Sequence, residues 1–321
     1  MLGGMAIIAM SGCRQPTLHS TALSNPDPAE SIRFIDRGED VDARDSDDST
    51  PLHRAAFLNR NPEVVTALIE AGADVNARNK YGKTPLFHAA RKRADPRVLE
   101  ILIEAGADPL AKDDSAARTP FLEAAAHNEH SEVLAYLLTV GSNATATDEL
   151  GRSPLHHAAA TNPNPEIITF LIDAGNDVNA TDRMDQTPLH HAADWNRNPQ
   201  VLARLLASGG DPRATQRQDR TPLHFAVMNR VGAETVPLLL AAGSDVDARN
   251  RSGRTPLHQA TDRKDNQEVI RILVAAGADV DARDDAGRTP LDRTGPGTFG
   301  KRRNRDALIT AGGTHGEDPS P

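Results

Sequence analysis

The chain has few of the side chains that fill a large core. Aromatics make up 3% of its 321 residues, with a single tryptophan, and hydrophobic residues 38%. That is low for one large globular core, yet adequate for a thin one shared between stacked helices. Cys13 is the only cysteine, which excludes an intramolecular disulfide. The leading apolar run, Met1–Met10, is too short to cross a bilayer as a helix. The net charge of -9 argues against nucleic acid as the main partner. Charges of both signs are interspersed rather than blocked, as on an ordinary solvated surface.

What the chain has in quantity is a repeat. Thr50-Pro51-Leu52-His53 recurs as Thr84-Pro85-Leu86-Phe87, Thr119-Pro120-Phe121, Ser153-Pro154-Leu155-His156, Thr187-Pro188-Leu189-His190, Thr221-Pro222-Leu223-His224, Thr255-Pro256-Leu257-His258 and Thr289-Pro290-Leu291-Asp292. The steps are 34 residues, except 35 between Thr84 and Thr119. A fixed period of this size means a stack of supersecondary units, and it overrides a two-domain reading from length alone.

One unit, from Thr50 to Asn79, shows the physics. Thr50 caps a helix that starts at Pro51, where a missing N–H costs nothing. Leu52, Ala55 and Ala56 give that helix an apolar side small enough for a close neighbour. Asn61-Pro62 repeats the signal for a second helix, whose apolar face is Val64, Val65, Leu68 and Ile69. Gly72 ends it as a left-handed C-cap, and Ala73–Gly82 reads as an extended finger turning back to Thr84.

The words T-P-L-H-x-A-A and A-G-A-D-V-N-A (Ala71–Ala77, Ala174–Ala180) resemble those of ankyrin-repeat proteins over about Ser31 to Gly313. The resemblance implies an all-α repeat solenoid of stacked helix-turn-helix repeats with protruding β-turn or hairpin fingers. The domain at 31–313 then has an N-terminal partial cap, seven full repeats from about residue 45, and a capping repeat from about 284. One departure is systematic. The turn before the second helix is Asn-x-Asn-Pro, one residue longer than the family's, as in Asn59–Pro62 and Asn196–Pro199, and is expected to alter the convex edge only.

Three irregularities carry their own expectations. Ala117 replaces the turn glycine in a finger one residue longer, which predicts a local distortion. Pro237 falls inside a second helix and is expected to shift its start or kink it. The last unit loses its first helix at Gly295-Pro296-Gly297, leaving Asp306–Gly312 as the capping helix and 314–321 as a disordered tail.

The N-terminus reads separately. Met10-Ser11-Gly12-Cys13 closes the apolar run and resembles the lipobox of bacterial lipoproteins, in which the cysteine is lipidated. Residues 1–13 are then a signal, Cys13 the lipidation site, and 14–30 a flexible tether. The resemblance places the chain in the bacterial cell envelope, touching membrane only through that anchor. Arg14, rather than aspartate, follows the cysteine and favours the outer membrane, facing the periplasm. The apolar run carries no leading lysine or arginine, which keeps open a second reading: Met1 is not the true start, Cys13 is not lipidated, and the chain is a cytosolic regulator or translocated effector.

Several patterns imitate chemistry. His53, His156, His190, His224 and His258 occupy one phase, a whole repeat apart. Packed helices lie roughly 8–10 Å from one another, too far for one zinc ion. In the family this histidine bonds to backbone; only the doubled His156-His157 and His190-His191 hint at a bridging metal. Gly295–Lys301 matches a P-loop by letter, yet Arg302 follows the lysine where Ser or Thr must hold magnesium, and no apolar strand precedes it. The acidic fingers repeat once per unit. The expectation is a monomer without enzymatic activity, metal or cofactor.

Family partners bind the concave side, built from finger tips and the exposed ends of first helices. Carried over by position, that face comprises Lys80, Tyr81, Arg91, Lys92, His127, Leu150, Arg183, Met184, Asp194, Trp195, Arg217, Met228, Arg251 and Arg263, and its partner is a protein. Trp195 leads, because aromatic and arginine side chains dominate interface energetics. Arg118, Arg152, Arg220, Arg254 and Arg288, one per repeat before Thr/Ser-Pro, read as generic.

Overall fold

The structure is a computed structural model and describes residues 17–24, 27–58, 61–92, 96–294 and 299–315. Its helices come in pairs, and no strand occurs among the described residues. The first pairs are α1 (Leu18–Ser24) with α2 (Pro28–Asp36), α3 (Pro51–Leu58) with α4 (Pro62–Glu70), and α5 (Pro85–Lys92) with α6 (Arg97–Glu104). Next come α7 (Pro120–His127) with α8 (Ser131–Thr139), α9 (Pro154–Thr161) with α10 (Pro165–Asp173), and α11 (Pro188–Trp195) with α12 (Pro199–Ala207). The series ends with α13 (Pro222–Ala226) and α14 (Gly232–Ala241), α15 (Pro256–Ala260) and α16 (Gln267–Ala275), a 3-10 turn at Asp292–Thr294, and α17 (Phe299–Thr310).

Two compact units hold these helices: residues up to Ala89 with Arg97–Asp108, and Ala90–Pro96 with everything from Pro109 onward. In the first unit α1 packs on α3, and α2, α4 and α6 pack in turn. In the second, α7, α9, α11, α13 and α15 stack in series, as do α8, α10, α12, α14 and α16, with α17 on α16. Each unit is by itself an all-α repeat solenoid. Its core is thin and made of recurring positions: Leu155, Leu189, Leu223 and Leu257 are each 0% exposed. Burying each such leucine contributes about 1.5–3 kcal/mol.

The capping signals act as the sequence suggests, with one addition. In α9, α11, α13 and α15 the first-helix histidine closes a capping box, its Nδ1 accepting the N–H of the Ser or Thr that caps the helix. Asn164 and Asn198 cap the second helices by accepting from Glu166 N–H and Gln200 N–H, both at 3.0 Å. Gly72 ends α4 with φ at 93°.

Some expectations change. Leu18 and Ala22 are fully buried, so Leu18–Ser24 is a helix where a tether was expected. The apolar side of that segment packs on α3, and the N-terminal unit is a helix pair. Pro237 sits within one continuous helix, α14. Ala117 takes φ 53°, the left-handed state of Gly82 and Gly151 at the matching turns, so the third finger keeps its turn. The final helix begins at Phe299 and contains the basic segment through Arg305. The tail is anchored at its start, where Thr289 Oγ1 donates to Thr314 O at 2.8 Å.

The Asn-x-Asn turn also does more than alter an edge. Asn128, Asn162, Asn196, Asn229 and Asn266 are all buried. Asn196 Nδ2 donates to Ala159 O and Asn162 O, both at 2.9 Å, and Asn229 Nδ2 donates to Ala193 O at 2.9 Å and Asn196 O at 3.1 Å. Each amide joins its repeat to the one before, satisfying carbonyls left open where a first helix ends.

Candidate functional surface

The histidine phase is structural. His190 Nδ1 accepts from Thr187 N–H at 3.2 Å, so the proton lies on Nε2, which donates to Arg220 O at 3.1 Å. His53, His156, His224 and His258 repeat the arrangement with the carbonyls of Lys83, Gln186, Arg254 and Arg288. Desolvation lowers the pKa of His53, His156, His190 and His224 to about 4. They are neutral connectors between repeats.

The doubled histidines do not face a common metal point. His157 Nε2 contacts Asp148 Oδ2 at 3.0 Å, and His191 Nε2 contacts Asp182 Oδ2 at 2.9 Å. Burial works to raise the Asp148 pKa, but hydrogen bonds from His157 and Arg152 outweigh it and hold the carboxyl below its usual range. Desolvation lowers the His157 pKa, so a neutral imidazole donates to an ionised carboxylate. Among the described residues no group of three or more His, Cys, Asp or Glu is arranged to hold a metal ion. Of the P-loop match, Gly295–Thr298 lie outside the described residues and Lys301 lies inside α17.

The acidic fingers form a column too. Asp148 accepts the N–H groups of Leu150 and Arg152, Asp182 those of Met184 and Gln186, and Asp284 those of Ala286 and Arg288. Arginines of the stripe neutralise three finger carboxylates: Arg118 meets Asp113 at 3.2 Å, Arg152 meets Asp148 at 2.9 Å, and Arg288 meets Asp284 at 3.1 Å. Successive finger tips are tied by backbone, Arg183 N–H to Leu150 O at 2.9 Å and Arg217 N–H to Met184 O at 3.4 Å. That ladder aligns Leu150, Arg183, Met184, Arg217 and Arg251, all exposed.

The remaining candidates fall into two groups. Arg91 pairs with the buried Glu123 at 3.0 Å, His127 lies 3.9 Å from the same carboxylate, and Arg263 donates to the carbonyls of Met228 and Asn229. These side chains are engaged within the fold. Lys80 pairs with Asp47 and lies 5.0 Å from the centre of the exposed Tyr81 ring, both in the first unit. Lys92 is exposed. Trp195 is 66% exposed at the end of α11, the highest value among the described large hydrophobic residues, with Met184 at 53%. It borders two clefts in the second unit. One, of about 340 Å³, is lined by His127, Arg152 and Thr161; the other, of about 440 Å³, by Met184, Asp194, Arg220, Phe225 and Met228. A further cleft between α16 and α17, lined by Arg271, Val274 and Ala311, touches none of the candidate residues.

The family model for ankyrin repeats matches residues 18–113, 121–216 and 195–284. The chain belongs to the ankyrin-repeat family. No curated protein matches it. Ankyrin repeats are generally protein–protein interaction modules and typically non-catalytic. Here the ankyrin framework engages its first-helix histidines and finger carboxylates internally and leaves Trp195, Met184 and Leu150 exposed. Position alone singled out these residues, but it did not separate them from Arg91 and Arg263, whose partners lie about a repeat away in sequence. It also passed over Phe225 and treated Arg220 as generic. Comparing fingers within the chain carried the missing signal: Gln216 stands where Asp113, Asp148, Asp182 and Asp284 stand elsewhere.

Proposed function

We propose that this chain is a non-catalytic scaffold that holds a protein partner on the finger tips and first-helix ends of its second unit, anchored at Trp195. The observation carrying this reading is a two-thirds-exposed tryptophan between two clefts and beside the bare Met184. Exposed aromatic and thioether groups leave water on association, and rigid stacked helices lose little entropy in doing so. Trp195→Ala is expected to weaken partner capture by about 2 kcal/mol or more while leaving helix content unchanged. Partner pull-down with both forms, beside circular dichroism, tests it; undiminished capture by the variant removes Trp195 from the site.

We further propose a lipid anchor at Cys13 in the bacterial envelope, a reading that rests on the lipobox-like sequence and lies outside the described residues. Membrane fractionation and intact mass of the full chain beside Cys13→Ala decide it. The expected result is lipid mass and membrane association for the first and neither for the second. Both forms soluble, with the apolar leader retained, would move the search for a partner to the cytoplasm.

A further inference from the structure

The cleft between Trp195 and Phe225 holds two charges that the rest of the chain neutralises. Arg220 belongs to the arginine column, where each other member reaches a carboxylate. Arg118, Arg152 and Arg288 find theirs in their own fingers. Arg254, whose own finger carries Asn250, reaches Asp284 of the next at 3.6 Å. Arg220 has Gln216 in its own finger and Asn250 in the next, and makes no ion pair within 4 Å among the described residues. Its guanidinium instead lies 4.5 Å from the centre of the Phe225 ring, and its Nε is buried without a hydrogen-bond partner.

Asp194 belongs to a second pairing column, linking one first helix to the next. At equivalent places Arg91 meets Glu123 at 3.0 Å, and Asp262 meets Arg293 at 2.6 Å. The residue facing Asp194 in that register is Phe225, so the half-buried carboxylate makes neither a hydrogen bond nor an ion pair among the described residues. Burial raises its pKa and outweighs the opposing fields of His191 and Arg220, neither of which closes an ion pair with it. Two replacements, glutamine for aspartate at 216 and an aromatic for a charged or polar group at 225, thus open both halves of a charge pair in one cleft. Trp195, Met184 and Met228 supply its apolar walls.

We infer that this cleft recognises a segment of the protein partner in which an apolar side chain lies between one acidic and one basic residue, the acid facing Arg220 and the base Asp194. The inference rests on the scaffold reading above and specifies its chemistry. Charge complementarity selects this occupant: Arg220 and Asp194 feel each other's field without forming an ion pair, so a wholly apolar segment would desolvate both with no contact partner, which is costly, whereas a dipolar one satisfies both.

The test uses the full-length chain and the emission of Trp195, its only tryptophan. Blocked peptides with Glu-Phe-Lys or Lys-Phe-Glu at their centre, in a Gly-Ser host, are titrated beside a Gln-Phe-Gln control. A charged peptide is expected to shift the emission saturably and to bind about tenfold or more tighter than the control. Gln216→Asp restores the carboxylate found in other fingers, keeps the fold, and is expected to abolish that preference by occupying Arg220. Equal binding of charged and neutral peptides, preference undiminished in Gln216→Asp, or no saturable shift at millimolar peptide would each overturn the inference. Partner capture that depends on Trp195 while the peptides ignore charge would leave the scaffold reading standing and remove only this one.

Discussion

Two neighbouring fingers of the second unit fill the same slots with different chemistry. At Asp182 the carboxylate is nearly buried, accepts two backbone N–H groups and meets His191 at 2.9 Å. At Gln216 the side chain caps its turn through Gln218 N–H at 2.8 Å but carries no charge, and Phe225 replaces the histidine. The backbone is alike in both: Asp185 and Asp219 hold the same left-handed turn, at φ 60° and 56°. A repeat architecture tolerates the exchange because each unit needs the turn satisfied, not ionised. The sealed finger contributes to stability, and the open one presents a guanidinium and an aromatic ring to whatever enters the cleft.

Acid strikes what the two fingers share, the buried histidines that hold them, His156 to Gln186 O and His190 to Arg220 O. Burial holds His156, His190 and His224, with His53 in the first unit, at a pKa of about 4, below the unfolded value near 6.5. Between those values the unfolded chain binds protons that the folded chain refuses, so stability is full above about pH 6.5 and falls as pH drops toward 4. Each histidine is expected to remove on the order of 1–2 kcal/mol by about pH 5. Urea midpoints taken from neutral pH to about pH 5 measure it. A midpoint that stays flat across this window would show that these imidazoles are not buried neutral.

Next in size is the joint both fingers share. Asn196→Ala removes the amide that serves Ala159 O and Asn162 O, and leaves Asn198 N–H without its acceptor. Buried groups left unpaired cost about 1–3 kcal/mol each, so a loss of about 2–4 kcal/mol is expected by urea unfolding. A loss of only a few tenths would mean that water serves these carbonyls and the ladder is not structural.

The helical pairs, their caps and the glycine stops were legible in the sequence because they depend on residues three or four apart. The burial of Asn162 and Asn196 was not, since their acceptors lie 34 and 37 residues back, and an Asn-x-Asn-Pro string signals a turn without saying what faces it. Leu18–Ser24 was misread as tether for a similar reason: seven residues with little periodicity become a helix only by packing on α3. Trp195 was legible as a binding candidate, whereas Arg220 and Phe225 acquire meaning only beside Asp194, which the chain brings to them from the preceding repeat.

The smallest expected effect concerns the turn that the compared fingers share with the third. Asp185 and Asp219 offset part of the left-handed cost through their side chains, which reach Arg217 at 3.3 Å and Arg251 at 3.8 Å. Ala117, at φ 53°, has no such group. An L-residue there costs roughly 1–2 kcal/mol, while glycine adds unfolded-state entropy of about 0.4–1 kcal/mol. Ala117→Gly is therefore expected to stabilise the chain by about 0.5–1 kcal/mol, and Asp185→Gly by less, because it also loses the contact with Arg217. Paired thermal melts of the two variants check the ordering. If Asp185→Gly gains as much as Ala117→Gly, the aspartates add nothing to the turn beyond tolerating its conformation, and the two fingers differ only where they meet the cleft.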